Sequence, residues 1–276
     1  MKNKKVCARF RLLLLCFIIS LISTPPATAG PVDCGSTPIR VAQYTLGFRY
    51  YVEDSQEKGI NKDILDELRK RTGCSFIVQE MPFARIWTDL GSGDLDISMS
   101  GVWSAEREKT LWCAQTITSK WYAVLRSESA SSVRSASDFL ANKKLVFGVV
   151  RGFTHSIGND KWLEEMRQEG RVEESVNIDA LAEKLKEGHI DGMFSLPYVY
   201  RKQLPDLHME HLVLIQDWSL DDKEIVGCMM MTKRRFSEDE ANRWKMIIQE
   251  MQSDGTLKRI FRRYLPAAEA EKMLDF

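Results

Sequence analysis

The chain has 276 residues, 44% of them hydrophobic and 28% charged, with basic and acidic side chains level at 39 each. That balance gives no reason to expect nucleic acid as a partner, because a phosphate backbone calls for a basic excess. The length fits one large domain or two of ordinary size.

The chain opens with Lys2, Lys4, Lys5, Arg9 and Arg11, then the apolar run "LLLLCFIISLI", then "PPATAG" with an Ala27-Thr28-Ala29 end. A basic start, an apolar stretch too short to span a bilayer comfortably and a small-residue end together form a cleaved export signal. Residues 1–29 are read as that signal, leaving 34 basic against 39 acidic side chains in the mature chain. Cys16 follows leucines and Cys34 lies beyond the apolar run, so no lipid-anchored start is expected. A free periplasmic protein is. Four cysteines remain, Cys34, Cys74, Cys113 and Cys228, and an even count in an oxidising compartment predicts disulfides. No spacing of Cys or His suggests a metal site, and no cofactor is expected.

In chain order, "IRVAQYTLG" (39–47) is a short apolar run ended by turn residues, hence a strand. "NKDILDELRKRTG" (61–73) places Ile60, Ile64, Leu65 and Leu68 on one helical face and stops at Gly73. "CSFIVQEM" (74–81) is β-rich, "FARIWTDLGSG" is helical, and "DLDISMSG" returns to strand. Such alternation predicts a parallel sheet with helices on both faces. The second half repeats it: strand at 143–150, helices at 158–170 and 177–188, and a strand in "HIDGMFS". Two stretches nearly coincide, "LGSGDLDISMS" (90–100) and "LKEGHIDGMFS" (185–195), both Leu-x-x-Gly-x-x-Asp-x-x-x-Ser. Each marks a helix stopped by glycine before a buried strand, so Asp96 and Asp191 are read as junction residues.

A strand at 119–129 leaves the first half, and strands at 211–218 and 224–233 follow the second. Ser237 and Glu240 form a capping box for a helix with Trp244, Ile247, Ile248 and Met251 on its apolar face. These last segments have no third unit to build and are expected to return to the first. Cys34 and Cys74 precede strands expected to be neighbours, which pairs them and leaves Cys113 with Cys228.

With these elements in place, the chain resembles the periplasmic amino-acid-type solute-binding proteins of family 3, such as the histidine- and glutamine-binding proteins. The resemblance rests on "IVGCMMMTK…IIQEMQSDGTLKRIFRRYL", "GDLDISMSGVWSAERE" and "LVFGVVRGFTHSIGNDKW", and runs from about Ile39 to Leu265. It implies an α/β, two-lobed periplasmic-binding-protein fold of type II, each lobe a doubly wound, mostly parallel sheet. Residues 30–124 and 218–276 would form one lobe, 125–217 the other, with two strands as hinge.

Arg107 matches the arginine that grips a ligand carboxylate in this family, a task suited to the planar guanidinium fork. Beside Glu106 and Glu108 it reads equally as a surface ion pair. Ser100 lies just past the third strand. Gly152 and Thr154 match the family's second-lobe anion contact, where free N–H groups open a helix; Thr154 alternatively caps that helix. Tyr44 and Phe83 are expected against the ligand, with Trp103 a weaker candidate, and Arg85 faces either cleft or solvent. Leu196 stands where the resemblance expects an aspartate for the ligand's α-ammonium. Either another acid or the rings of Tyr44 and Tyr198 receive an ammonium, or the ligand has none.

The expected function is capture of a small anionic organic solute, an amino acid or related carboxylate, by hinge closure. Its partner would be the membrane permease of an ABC-type transporter, and the protein a monomer without enzymatic activity. The alternatives are a dehydratase-like enzyme of this fold, with Glu80, Glu53 or Asp54 as acid, and a sensory binding module.

Overall fold

A computed structural model describes residues 32–218, 220 and 224–276. The predicted signal, residues 1–29, lies outside them. Among the described residues no helix is long and apolar enough to cross a membrane.

Among the described residues twelve strands form in chain order: β1 (Ile39–Gln43), β2 (Tyr51–Glu53), β3 (Gln56–Lys58), β4 (Phe76–Glu80), β5 (Ile97–Val102), β6 (Leu111–Ser119), β7 (Tyr122–Arg126), β8 (Phe147–Val150), β9 (Val172–Ser175), β10 (Gly192–Ser195), β11 (Val213–Gln216) and β12 (Ile225–Thr232). The small pair β2 and β3 is a hairpin. The others build two five-stranded sheets, ordered β4-β1-β5-β12-β6 and β9-β8-β10-β7-β11. In the first sheet β12 runs against both of its neighbours, and in the second β7 does. The remaining strands of each sheet run parallel. The two sheets therefore share one topology, strand for strand, and the chain folds as the doubly wound α/β pair the sequence predicted.

Each sheet is covered on both faces. Ile64, Leu65 and Leu68 from helix Ile60–Thr72, with Trp244, Ile247 and Met251 from helix Glu238–Ser253, pack on one face of the first sheet. Ile86 and Leu90 from helix Phe83–Ser92 cover the other. In the second sheet helices Ile178–Glu187 and Pro197–Asp206 share a core with the first lobe, and Phe139, Trp162 and Leu163 fill the opposite face. Burial of large apolar side chains at roughly 25 cal/mol per Å² is the main favourable contribution in such layers.

The chain changes sheets twice. Only Lys120 and Trp121 separate β6 from β7, and residues 217–224 separate β11 from β12. The strand read at 119–129 is thus two elements, because its backbone finds partners in one sheet up to Ser119 and in the other from Tyr122. This change of sheet comes earlier than the boundary expected at 124. Helix Pro197–Asp206, with Pro197 in its first turn, escaped the sequence reading, as did β6. β12, from the C-terminal part of the chain, lies in the first sheet between β5 and β6. Half of the predicted capping box forms: Ser237 accepts from the Glu240 N–H at 3.3 Å, while Glu240 turns its carboxylate to the Asp33 N–H.

The disulfides are Cys34–Cys74 and Cys113–Cys228, the pairing expected. The first joins the segments that lead into the adjacent strands β1 and β4, and the second links the adjacent strands β6 and β12.

The twin phrases occupy equivalent places, leading into β5 and β10. Gly93 and Gly188 end their helices with φ of 87° and 79°, a left-handed conformation that favours glycine. The aspartates then fasten each incoming strand to its neighbour. Asp96 Oδ2 accepts the Arg40 N–H at 2.8 Å while its own N–H donates to the Arg40 carbonyl at 3.1 Å. Asp191 Oδ2 accepts the Val146 N–H at 2.8 Å and its N–H donates to the Val146 carbonyl at 2.8 Å. Asp96 carries more besides: side chains of Arg40 and Arg235 both reach it at 2.7 Å.

Burial alone would raise the Asp96 carboxyl, but the Arg40 hydrogen bonds and the Arg235 charge outweigh it and hold the group below its ordinary value. A carboxyl depressed in the folded state stabilises above its unfolded pKa, and that stability disappears as pH falls through the folded one. Asp96→Asn should cost about 3 kcal/mol in urea unfolding at pH 7, leaving two arginines short of a partner. The deficit should shrink when the titration is repeated below about pH 4. A deficit that stays constant with pH would refute this role for the carboxylate.

Candidate functional site

The carboxyl ends of the two parallel arrays face each other, and between them lies a small cavity. Tyr44 follows β1, Ser100 to Val102 close β5, and Phe83 and Arg107 stand on the helices after β4 and β5. From the other side come Phe153 and Thr154 beyond β8, Leu196 and Tyr198 beyond β10, and Trp121 from the first crossing. Ligands of open α/β sheets bind at this edge, because loops and helix N-termini converge there. The cavity measures about 40 Å³, room for a few waters.

Arg107 sits on the short helix Ala105–Glu108, started by Ser104, whose hydroxyl accepts the Arg107 N–H at 3.3 Å. Its Nη1 donates to the Val102 carbonyl at 2.7 Å, and its guanidinium lies 3.7 Å from the Trp87 ring centroid. Glu106 pairs with Lys109 instead. Among the described residues no carboxylate pairs with Arg107, which removes the surface ion-pair reading. The face of an indole and a carbonyl orient the cation while leaving its charge uncompensated.

A second guanidinium, missed by the sequence reading, completes the site. Arg49 is 2% exposed and lines the same cavity. Its Nη2 donates to the Met99 carbonyl at 2.9 Å, and Nη1 is buried without a hydrogen-bond partner. It lies 5.8 Å from the Tyr198 ring centroid, across the gap between the sheets. The available signal was an arginine set within the apolar and aromatic run Leu46 to Val52. Trp121 was missed too, because the crossing that carries it was read as strand interior.

The other candidates fall as follows. Ser100 lines the cavity and accepts from Asn61 Nδ2 at 2.7 Å. Tyr44 and Phe83 stack at 4.9 Å between centroids, and Phe153 closes on Phe83 at 4.6 Å from the second lobe. Thr154 lines the cavity and does not cap the following helix; Ser156 does, accepting the Asn159 N–H. Gly152 lies outside the cavity, and its φ of 78° makes the turn that carries Phe153 into it. Trp103 also lies outside, 44% exposed, in a groove on the outer side of Arg107 with Trp112 and Lys245. Arg85 faces solvent and pairs with Asp89. Leu196 does line the cavity.

Among the described residues no Asp or Glu lines this cavity. Burial lowers the pKa of both Arg49 and Arg107, so each charge is held where water solvates it poorly. Burial also raises Tyr44 and pushes Tyr198 up to about 12, which keeps both hydroxyls neutral at physiological pH. The site offers two cations, neutral hydroxyls and aromatic walls. That set suits a small anion with an apolar or planar body.

The two lobes touch directly. The Phe48 N–H donates to the Tyr198 carbonyl at 2.7 Å. Gly47, at φ 53°, sits so close that a Cβ there would lie 2.3 Å from the Tyr198 oxygen and 2.5 Å from the Val199 Cα.

A model of the bacterial extracellular solute-binding proteins, family 3, matches residues 39–267. No curated protein sequence matches the chain. Among solved structures, an ancestral arginine-binding protein bound to arginine is 20% identical with a TM-score of 0.67, over 83% of this chain and 98% of that one. The arginine-, lysine-, histidine-binding protein of Geobacillus stearothermophilus is 18% identical with a TM-score of 0.66, over 83% and 95%. An ancestral amino acid-binding protein, a precursor of cyclohexadienyl dehydratase, is 17% identical with a TM-score of 0.68, over 83% and 96%. At such identities the likeness is one of fold.

Parting of the two sheets would break the Gly47 contact. Gly47→Ala should therefore lower the closed-to-open ratio by more than about tenfold, since so short a backbone contact costs well over 1.4 kcal/mol. Small-angle scattering should show a larger radius of gyration than wild type. An unchanged scattering curve would mean this approach does not hold the lobes together.

Proposed function

This chain belongs to the bacterial extracellular solute-binding proteins, family 3, and from that premise we propose that it captures a small anionic organic solute between two closing lobes. The observation that carries the reading is Arg107: a guanidinium fixed by Val102 and Trp87, facing a cavity that no carboxylate lines among the described residues. A carboxylate guest supplies the missing charge through two parallel hydrogen bonds, each contributing about 1.5–3 kcal/mol. Ser100 and Thr154 add hydroxyls from opposite lobes, and Tyr44, Phe83 and Phe153 enclose the body of the solute.

The solved relatives named for arginine, lysine and histidine take ligands with an α-ammonium, two of them with a cationic side chain at neutral pH. In this cleft Leu196 holds the position where an acid would receive the ammonium, and two guanidiniums oppose further positive charge. Both features favour a carboxylate without an α-ammonium. The cavity is too small for such a solute while Phe153 rests on Phe83, so entry requires the lobes to part about the crossings at 120–121 and 217–224.

We place the protein in the periplasm, released by cleavage after residue 29, as a monomer that presents its closed form to the permease of an ABC-type transporter. The two disulfides suit an oxidising compartment. A sensor could read the same closure. The dehydratase-like alternative needs an acid at the ligand. Glu80 accepts from the Thr45 hydroxyl, Glu53 pairs with Lys58, and neither they nor Asp54 line the cavity. That supports binding without chemistry.

A thermal-shift screen should therefore find organic carboxylates that raise the transition with concentration, as mass action requires. Their α-amino counterparts should bind less well. Arg107→Ala should weaken the best carboxylate by at least about 30-fold. The same change should lower the stability of the unliganded protein by about 1 kcal/mol or less, the value of one hydrogen bond. Retained binding in Arg107→Ala, or preference for the amino acids, would overturn the proposal.

A further inference from the structure

We infer that Arg49 is a second anion anchor in this cleft, and hence that the solute carries two acidic groups, one for each guanidinium. The inference rests on the anionic reading just given and goes beyond it in naming a dianion.

The argument begins with how this protein treats arginines that serve structure alone. Arg171, 6% exposed, is satisfied on all sides: its guanidinium bonds the Glu169 carboxylate and the carbonyls of Phe139, Leu140, Asn142 and Leu145. Arg235 likewise meets the Asp96 carboxylate and the carbonyls of Cys34, Thr37 and Pro38. Arg49 is buried more deeply than Arg171, at 2% exposure, yet it has two neutral partners, the Met99 carbonyl and the Thr116 hydroxyl, both on Nη2. Its Nη1 has none.

A buried cation without a counter-charge costs several kcal/mol, and a buried donor without an acceptor adds to that. Among the described residues no carboxylate relieves Arg49, and the surface it borders is the cavity that Arg107 also lines. A monoanion would compensate one of the two guanidiniums and leave the other exposed to the same penalty. A dianion compensates both. The anchors stand on different elements, Arg49 between β1 and β2 and Arg107 after β5, and the inference gives each its own acidic group.

The test uses the straight-chain dicarboxylates from malonate to adipate as probes, each against the monocarboxylate of equal length, by isothermal titration. At least one dicarboxylate should bind tenfold or more tightly than its monocarboxylate partner. In Arg49→Met that advantage should vanish, the dicarboxylates losing at least tenfold more affinity than the monocarboxylates, and Arg49→Lys should restore part of it. Equal affinities for the two series in the wild-type protein overturn this inference and leave the anionic reading standing. The inference also fails if Arg49→Met weakens both series alike, which would mark a packing role. Binding of neither series overturns the anionic reading and this inference together.

Discussion

A charge held out of water must be paired, and the cleft of this protein holds two guanidiniums that meet no carboxylate among the described residues. Everything around them serves to keep them so. The indole of Trp87 and the carbonyl of Val102 orient Arg107 without neutralising it, and the carbonyl of Met99 does the same for Arg49. Of the nearby acidic side chains, Glu106 pairs with Lys109 and Glu80 accepts from the Thr45 hydroxyl. The resulting site is poorly solvated, positive and walled by aromatic rings. An anion entering it gains more than it would at the surface, because low effective dielectric strengthens each hydrogen bond to a charged group.

A solute held there, as proposed, could enter only if these walls part. The topology provides for this. Each sheet is complete in itself, with its own strand of opposite direction and helices on both faces, and two connections join them. The carboxyl edges therefore face each other as units. Contacts across the gap are specific: Phe153 on Phe83, the Phe48 amide on the Tyr198 carbonyl, and the bare backbone of Gly47 against the same turn. Contacts made only in the closed form bias the equilibrium between forms, and a solute that touches both lobes biases it further.

The repeated phrase shows how the two units are built alike. In both, a glycine ends a helix and an aspartate three residues later ties the new strand to the parallel neighbour through paired backbone hydrogen bonds. The copies then diverge. Asp96 has gathered two arginines, Arg40 from β1 and Arg235 from just beyond β12, whereas among the described residues Asp191 accepts the Ser129 hydroxyl besides its backbone partner. That difference fits their places: the first sheet takes its strands from two distant stretches of chain, and Asp96 ties them together.

Local patterns in the sequence determined the alternation of strands and helices, the glycine-stopped junctions, the disulfide pairing and the place of Arg107 after the third strand. Those features depend on period, turn chemistry and neighbouring strands, all of which act over short stretches or follow from strand order. The sequence could not reveal Arg49 as a wall of the cleft, nor separate Phe153 from Gly152, nor move Trp103 to an outer groove. Which face a side chain takes, and whether a carboxylate comes within reach of it, depends on residues far apart in the chain. Burial and pairing of a charge are properties of the assembled lobes, and only the tertiary structure decided them.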